Sequence, residues 1–128
     1  MEVNSRHRTR RTQAERTAAT RAVLIDAARA LFAEQGFANV STQAIAAAAG
    51  VTRGALYHQF ADKTALFTAV YEEVERTVVA EVAERIAAAQ PPDSLAAMRL
   101  GARLVLEVCS VPDVQQIVLI DAPAALGW

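Results

Sequence analysis

STQAIAAAAGVTRGALYHQFADK, residues 41–63, reads as two short helices joined by a tight glycine turn. Ser41 is the expected N-cap of the first, its hydroxyl accepting from free backbone donors of the opening turn. Ile45, Ala46 and Ala49 make a narrow inward face, and the small alanines let another helix cross closely. Gly50 permits a sharp reversal that a residue with a Cβ resists. Val51 is the apolar plug of the turn, and Thr52 is placed to cap the second helix. On that helix Leu56 and Phe60 point inward at i and i+4. Arg53, Gly54, Ala55, Tyr57, His58 and Gln59 are left at the outside or the rim. Helical hairpins built only for packing share the small residues and the glycine turn. A threonine, arginine, tyrosine and histidine exposed on one short helix instead suit the reading of duplex DNA, which needs donors and aromatic edges with little bulk behind them.

Outward from this stretch, the expected class is all-α. Alanine is abundant, and the few glycines and prolines fall where helices must stop. A first helix is expected from Thr17 or Thr20 to Gln35, with Leu24, Ala27, Ala28, Leu31 and Phe32 on one apolar face. Gly36 then supplies the left-handed residue that closes it, and Phe37 folds back onto it. After the quoted stretch, a long helix starts near Asp62 and runs to about Ala89. Its inner stripe is Leu66, Val70, Val74, Val78 and Val82 or Ile86, and Pro91 and Pro92 break it. Asp93 or Ser94 caps a fifth helix in which Leu95, Met98, Ala102, Val105 and Cys109 follow helical spacing. Pro112 opens a sixth at the favoured first position.

The net charge of -1 conceals an asymmetry. Residues 1–63 carry nine Lys/Arg against five Asp/Glu, a net +4, and the remainder carries four against nine, a net -5. Only the front half is suited to approach a polyanion. Residues 1–16 form a basic segment with four arginines between positions 6 and 11, a composition that cannot bury enough surface to fold alone. Two compatible readings fit it: a solvated tail, and an arm that follows phosphates or enters a minor groove.

An enzyme is a poor fit. The chain has two histidines, one in the basic segment and one on the proposed recognition helix, with no glycine-rich phosphate loop and no nucleophile paired with a base. No metal-ligand spacing occurs, and no cofactor is called for. The lone cysteine, Cys109, lies in the apolar run LVLEVCSV, where a small buried side chain is the plain reading. No apolar run is long enough for a bilayer, and no apolar h-region follows the basic N-terminus, so the expectation is a cytoplasmic protein with no membrane partner.

The stretch from Ala27 through ALFAEQGFANVSTQAIAAAAGVTRGALYHQFADKTALF resembles the DNA-binding domain of the tetracycline-repressor (TetR) family of bacterial regulators. Phe32, Gly36, Phe37, Thr42, Ile45, Ala46, Ala49, Gly50, Val51, Gly54, Leu56, Tyr57, Phe60, Lys63 and Leu66 stand in register with its motif. The later run IVLIDAPAALGW, residues 117–128, is similar to a segment of the regulatory region and is much less diagnostic. The resemblance implies an all-α fold with a helix-turn-helix DNA-binding domain at residues 17–66. Residues 67–128 would then be the first part of a C-terminal ligand-binding region. It implies that Thr42 contacts phosphate, that Thr52, Arg53, Gly54 and Ala55 enter the major groove, that Tyr57 and His58 contact backbone or bases, and that Lys63 holds a phosphate. The implied partners are double-stranded DNA with a palindromic operator, a small-molecule effector and a second copy of the chain. Val74, Val78, Met98, Ala102, Val105 and Ile117 are candidates to line the effector cavity, though such stripes are more often plain core. The alternative is a shortened regulator that acts as a protein-interaction module and binds DNA weakly by itself.

Overall fold

In the computed structural model, which describes the backbone of residues 2–128 and the side chains of residues 12–128, the chain winds almost entirely into helices, with no strand among the described residues. The first, α1, is Glu2–Gln35. It therefore begins well before Thr17. The reason is intrinsic propensity: residues 2–16 contain neither glycine nor proline and include five arginines, a residue that favours a helix without any apolar face. The side chains of the four clustered arginines lie outside the described residues.

Leu24, Ala28 and Phe32 of α1 are fully buried, with Ala27 and Leu31 half-buried beside them. Gly36 ends the helix, its N–H donating to the Phe32 carbonyl at 2.9 Å. Its φ of 82° is positive as expected, but ψ is 152°, so the chain turns outward into an extended step rather than into a left-handed cap. A single 3-10 turn, Phe37–Asn39, leads to α2, Thr42–Ala49. Ser41 caps α2 by accepting from Ala44 N–H at 3.1 Å, and Gly50 closes it in the left-handed region. The helix α3, Arg53–Gln59, is capped by Thr52 accepting from Ala55 N–H at 3.1 Å. Leu56 and Phe60 are buried as the spacing predicts, with Phe60 standing just past the helix end.

The long helix α4, Lys63–Ala89, carries Leu66, Phe67, Ala69, Val70 and Val74 into the core. Phe32, Phe37 and Phe67 meet with ring centroids 5.0 to 5.6 Å apart. This aromatic cluster seats α1 and α4 against the turn between α1 and α2. Gln90, in a left-handed conformation, and the following prolines end α4. Asp93 caps α5, Ser94–Cys109, by accepting from Ala96 N–H at 2.8 Å.

The inward face of α5 differs from the expected one. Leu104 and Val108 are buried, while Leu95, Met98, Ala102 and Val105 face outward. The helix has two apolar stripes, and packing selects the one holding Gly101, which lets Ile86 of α4 come within 3.4 Å of where a Cβ would stand. Cys109 is half-buried at the edge of the core.

Pro112 opens a last helical run as predicted: α6, Pro112–Val114, then a π-helical segment, Gln115–Asp121, then α7, Ala122–Leu126. The widening has a local cause in Pro123, which has no N–H to donate and whose ring would strike the carbonyl four residues back in an α-helix. Ala122 N–H accordingly donates five residues back, to the Ile117 carbonyl. Ile117 and Ala122 are buried against the core.

Candidate nucleic-acid interface

Three helix starts are each fixed by their own cap, Ser41 for α2, Thr52 for α3 and Asp62 for α4, and those of α2 and α4 meet at one cleft. Thr42, the first residue of α2, is half-buried, and its hydroxyl lies 2.9 Å from the Tyr57 hydroxyl of α3. That bond bridges two helices whose partners are 15 residues apart, and it fixes where the exposed edge of the Tyr57 ring points. The Arg53 guanidinium sits over the same ring, 5.5 Å from its centroid, so Tyr57 splints the arginine as well. Hydrogen bonding to Thr42, and secondly to Arg53, pulls the Tyr57 phenol below its ordinary pKa.

Lys63 is held as firmly. Its Nζ donates to the Phe37 carbonyl at 2.8 Å and lies 4.2 Å from the centre of the Phe37 ring. An ammonium has three donors, so two remain for an external anion. Lys63, Thr42, Tyr57, Ser41 and Asp62 line a shallow cleft of about 470 Å³ between the starts of α2 and α4. A hydroxyl pair, an ammonium and the N-terminal end of an eight-residue helix together suit a phosphate oxygen. Thr52, Arg53, Gly54 and His58 are exposed on α3 beside this cleft, and Ala55 is at the rim. All eight sequence-predicted DNA-binding residues thus lie on α3 or at the helix starts around it.

The six cavity candidates do not come together. Val74 and Ile117 belong to the core, Val78 is half-buried, and Met98, Ala102 and Val105 face outward, Met98 with 72% of its surface exposed.

Two side-chain roles were missed in the sequence. Phe67 completes the aromatic cluster, and its place one residue after Leu66 was the available signal. Asp121 accepts from Phe37 N–H at 2.9 Å across 84 residues of sequence. Its signal was a lone carboxylate within the apolar run IVLIDAPAAL.

A short helix with exposed polar and cationic groups, set beside a cleft by a capped glycine turn, defines a class: the helix-turn-helix domain of the kind that DNA-binding regulators use. Over residues 24–70 the chain matches the family described as bacterial regulatory proteins, tetR family. It is 41% identical over 80 residues to the HTH-type transcriptional regulator AcrR of Shigella flexneri, a match covering 62% of this chain and 37% of that protein. It is 37% identical over 86 residues to the HTH-type transcriptional regulator CymR of Pseudomonas putida, covering 67% of this chain and 42% of that protein. The chain thus spans less than half the length of these curated relatives. Among solved structures, a TetR-family transcriptional regulator from Pectobacterium atrosepticum superposes with a TM-score of 0.72 at 41% identity, covering 88% of this chain and 57% of that one. No helix among the described residues is long and apolar enough to cross a membrane.

Proposed function

We propose that this chain reads an operator with α3 as a ligand-responsive repressor of transcription in the cytoplasm. It would sit as one of two copies on a palindromic site, with residues 17–66 as the DNA-binding unit and residues 67–128 as part of a regulatory unit. The observation that carries the reading is the bridge between Thr42 and Tyr57, which holds Arg53 forward on α3 while leaving an open cleft beside Lys63. In this arrangement Thr42, Tyr57 and Lys63 hold the backbone and Thr52, Arg53, Gly54 and Ala55 face the bases, with His58 at the flank. A Mycobacterium tuberculosis relative, 44% identical over 69 residues, is named as a transcriptional repressor, which supports the repressor sense.

The test is the base preference of α3. A selection from random duplexes, followed by anisotropy titrations on the recovered site and its single-base variants, is expected to show Arg53→Ala losing preference at one position per half-site, at a cost of roughly 1 to 3 kcal/mol. Equal weakening on every sequence would make Arg53 a phosphate clamp, and no duplex binding by the unsubstituted chain at low salt would overturn the reading.

A further inference from the structure

We infer that Asp121 is a positioning residue for DNA binding, acting on the phosphate cleft through the main chain of Phe37; this rests on the DNA-binding reading of that cleft. Phe37 is held on both sides. Its N–H donates to the Asp121 carboxylate at 2.9 Å, and its carbonyl accepts from Lys63 at 2.8 Å. Its ring is clasped by Phe32 of α1, Phe67 of α4 and the Lys63 ammonium. The turn that begins at Phe37 feeds directly into Ser41 and Thr42, so its placement sets both the cap of α2 and the hydroxyl that meets Tyr57.

Asp121 reaches this turn only because of the π-helical winding. It is the last residue of that segment, half-buried, and its other oxygen stands 4.0 Å from where a Cβ on Gly36 would be. Gln116 of the same segment approaches Gly36 as well, at 3.4 Å from that point. The C-terminal run thus lies directly against the turn, where the positive φ of Gly36 sets the backbone. A π-helix is scarce and is frequently found at functional sites. Rewinding 115–121 as an α-helix would take Asp121 from the Phe37 N–H and leave the residue that accepts from Lys63 without its second hydrogen bond. The C-terminal run and the DNA-facing cleft therefore share one hydrogen-bonded residue.

The experiment compares the unsubstituted chain, Asp121→Ala, Asp121→Asn, Lys63→Ala and the Asp121→Ala/Lys63→Ala pair on a mixed-sequence duplex across a range of salt. The exchange rate of the Phe37 amide proton is measured in each free protein. Asp121→Ala is expected to bind roughly tenfold more weakly. Its salt slope falls by about 1 as the Lys63 contact is lost, and its Phe37 amide exchanges faster. Asp121→Asn keeps an oxygen acceptor and restores most of the affinity. In the Lys63→Ala background, Asp121→Ala has little further effect, since both act on one contact. A purely structural role would lower the melting temperature and leave affinity and salt slope unmoved, which overturns the proposal. So do independent, multiplying losses in the pair. If the unsubstituted chain binds no duplex, the functional reading itself falls, an outcome distinct from equal binding by all the variants.

Discussion

Single residues set the interface through contacts that local sequence does not display. The pairing of Thr42 with Tyr57 and that of Lys63 with Phe37 span 15 and 26 residues, so residue type and helical spacing singled out these side chains without showing what holds them. The Tyr57 phenol is pulled below the usual tyrosine pKa by Thr42 first and Arg53 second. Below that lowered value the neutral hydroxyl can donate to a phosphate; above it the phenolate repels one. DNA affinity should therefore fall as pH rises from about 7 toward the ordinary tyrosine value near 10, and Tyr57→Phe should flatten that decline while starting from a lower affinity at neutral pH. An identical decline in Tyr57→Phe, measured by anisotropy, would assign the pH dependence to another group. Gly36 makes a second case. Its φ of 82° with ψ of 152° lies in a region that essentially only glycine occupies. Gly36→Ala gains about 0.4 to 1 kcal/mol from a stiffer unfolded chain but incurs strain of about 1 to 3 kcal/mol. Strain wins on these magnitudes, so urea unfolding is expected to show net destabilisation; an unchanged midpoint would mean the turn relaxes at no cost.

At the scale of elements, legibility follows the range of the interactions that define each one. The starts of α2, α3 and α5 were readable because a cap acts within three residues, and Ser41, Thr52 and Asp93 all do what their types predict. The start of α1 was not readable from apolar spacing, since an arginine-rich stretch without glycine or proline can wind into a helix with no buried stripe. Nor was the packed face of α5, where two apolar stripes compete and the one with Leu104 and Val108 is buried. The π-helical segment was hidden as well, because Pro123 merely forbids one hydrogen bond and does not say how the chain avoids needing it. Capping also separates stability from DNA binding at α4. The Asp62 carboxylate accepts from Ala65 N–H at 2.7 Å, yet it also lines the cleft in which it would repel a phosphate. Asp62→Ala should cost about 1 kcal/mol of stability without weakening DNA binding, and Asp62→Asn should recover the stability. A loss of affinity in Asp62→Asn, with folding intact, would show that the carboxylate helps the site rather than opposing it.

For the whole molecule, the charge division and the apolar surface bear on how many copies act together. Residues 1–63 carry a net +4, while the acidic excess lies in α4, with five glutamates against three cations, and in Asp93, Asp113 and Asp121 beyond it; α5 carries Arg99 and Arg103 against Glu107, which Arg85 of α4 meets at 3.1 Å. That distribution orients one copy on a duplex without supplying a second. The outward stripe of α5, with Leu95, Met98, Val105 and Leu106 exposed, is apolar but narrow. One stripe on a 16-residue helix falls well short of the roughly 800 Å² per partner that a stable interface buries. Residues 1–128 expressed by themselves should therefore occupy half-sites independently. Their affinity for a duplex with two inverted half-sites should exceed that for one by only about twofold, the statistical factor, where linked copies gain roughly 10²- to 10⁴-fold from effective concentration. Anisotropy on matched one-site and two-site duplexes, with sedimentation of the same mixtures, separates these cases. A tight two-fold-symmetric footprint from residues 1–128 would mean that the α5 stripe, small as it is, pairs two copies once DNA has aligned them.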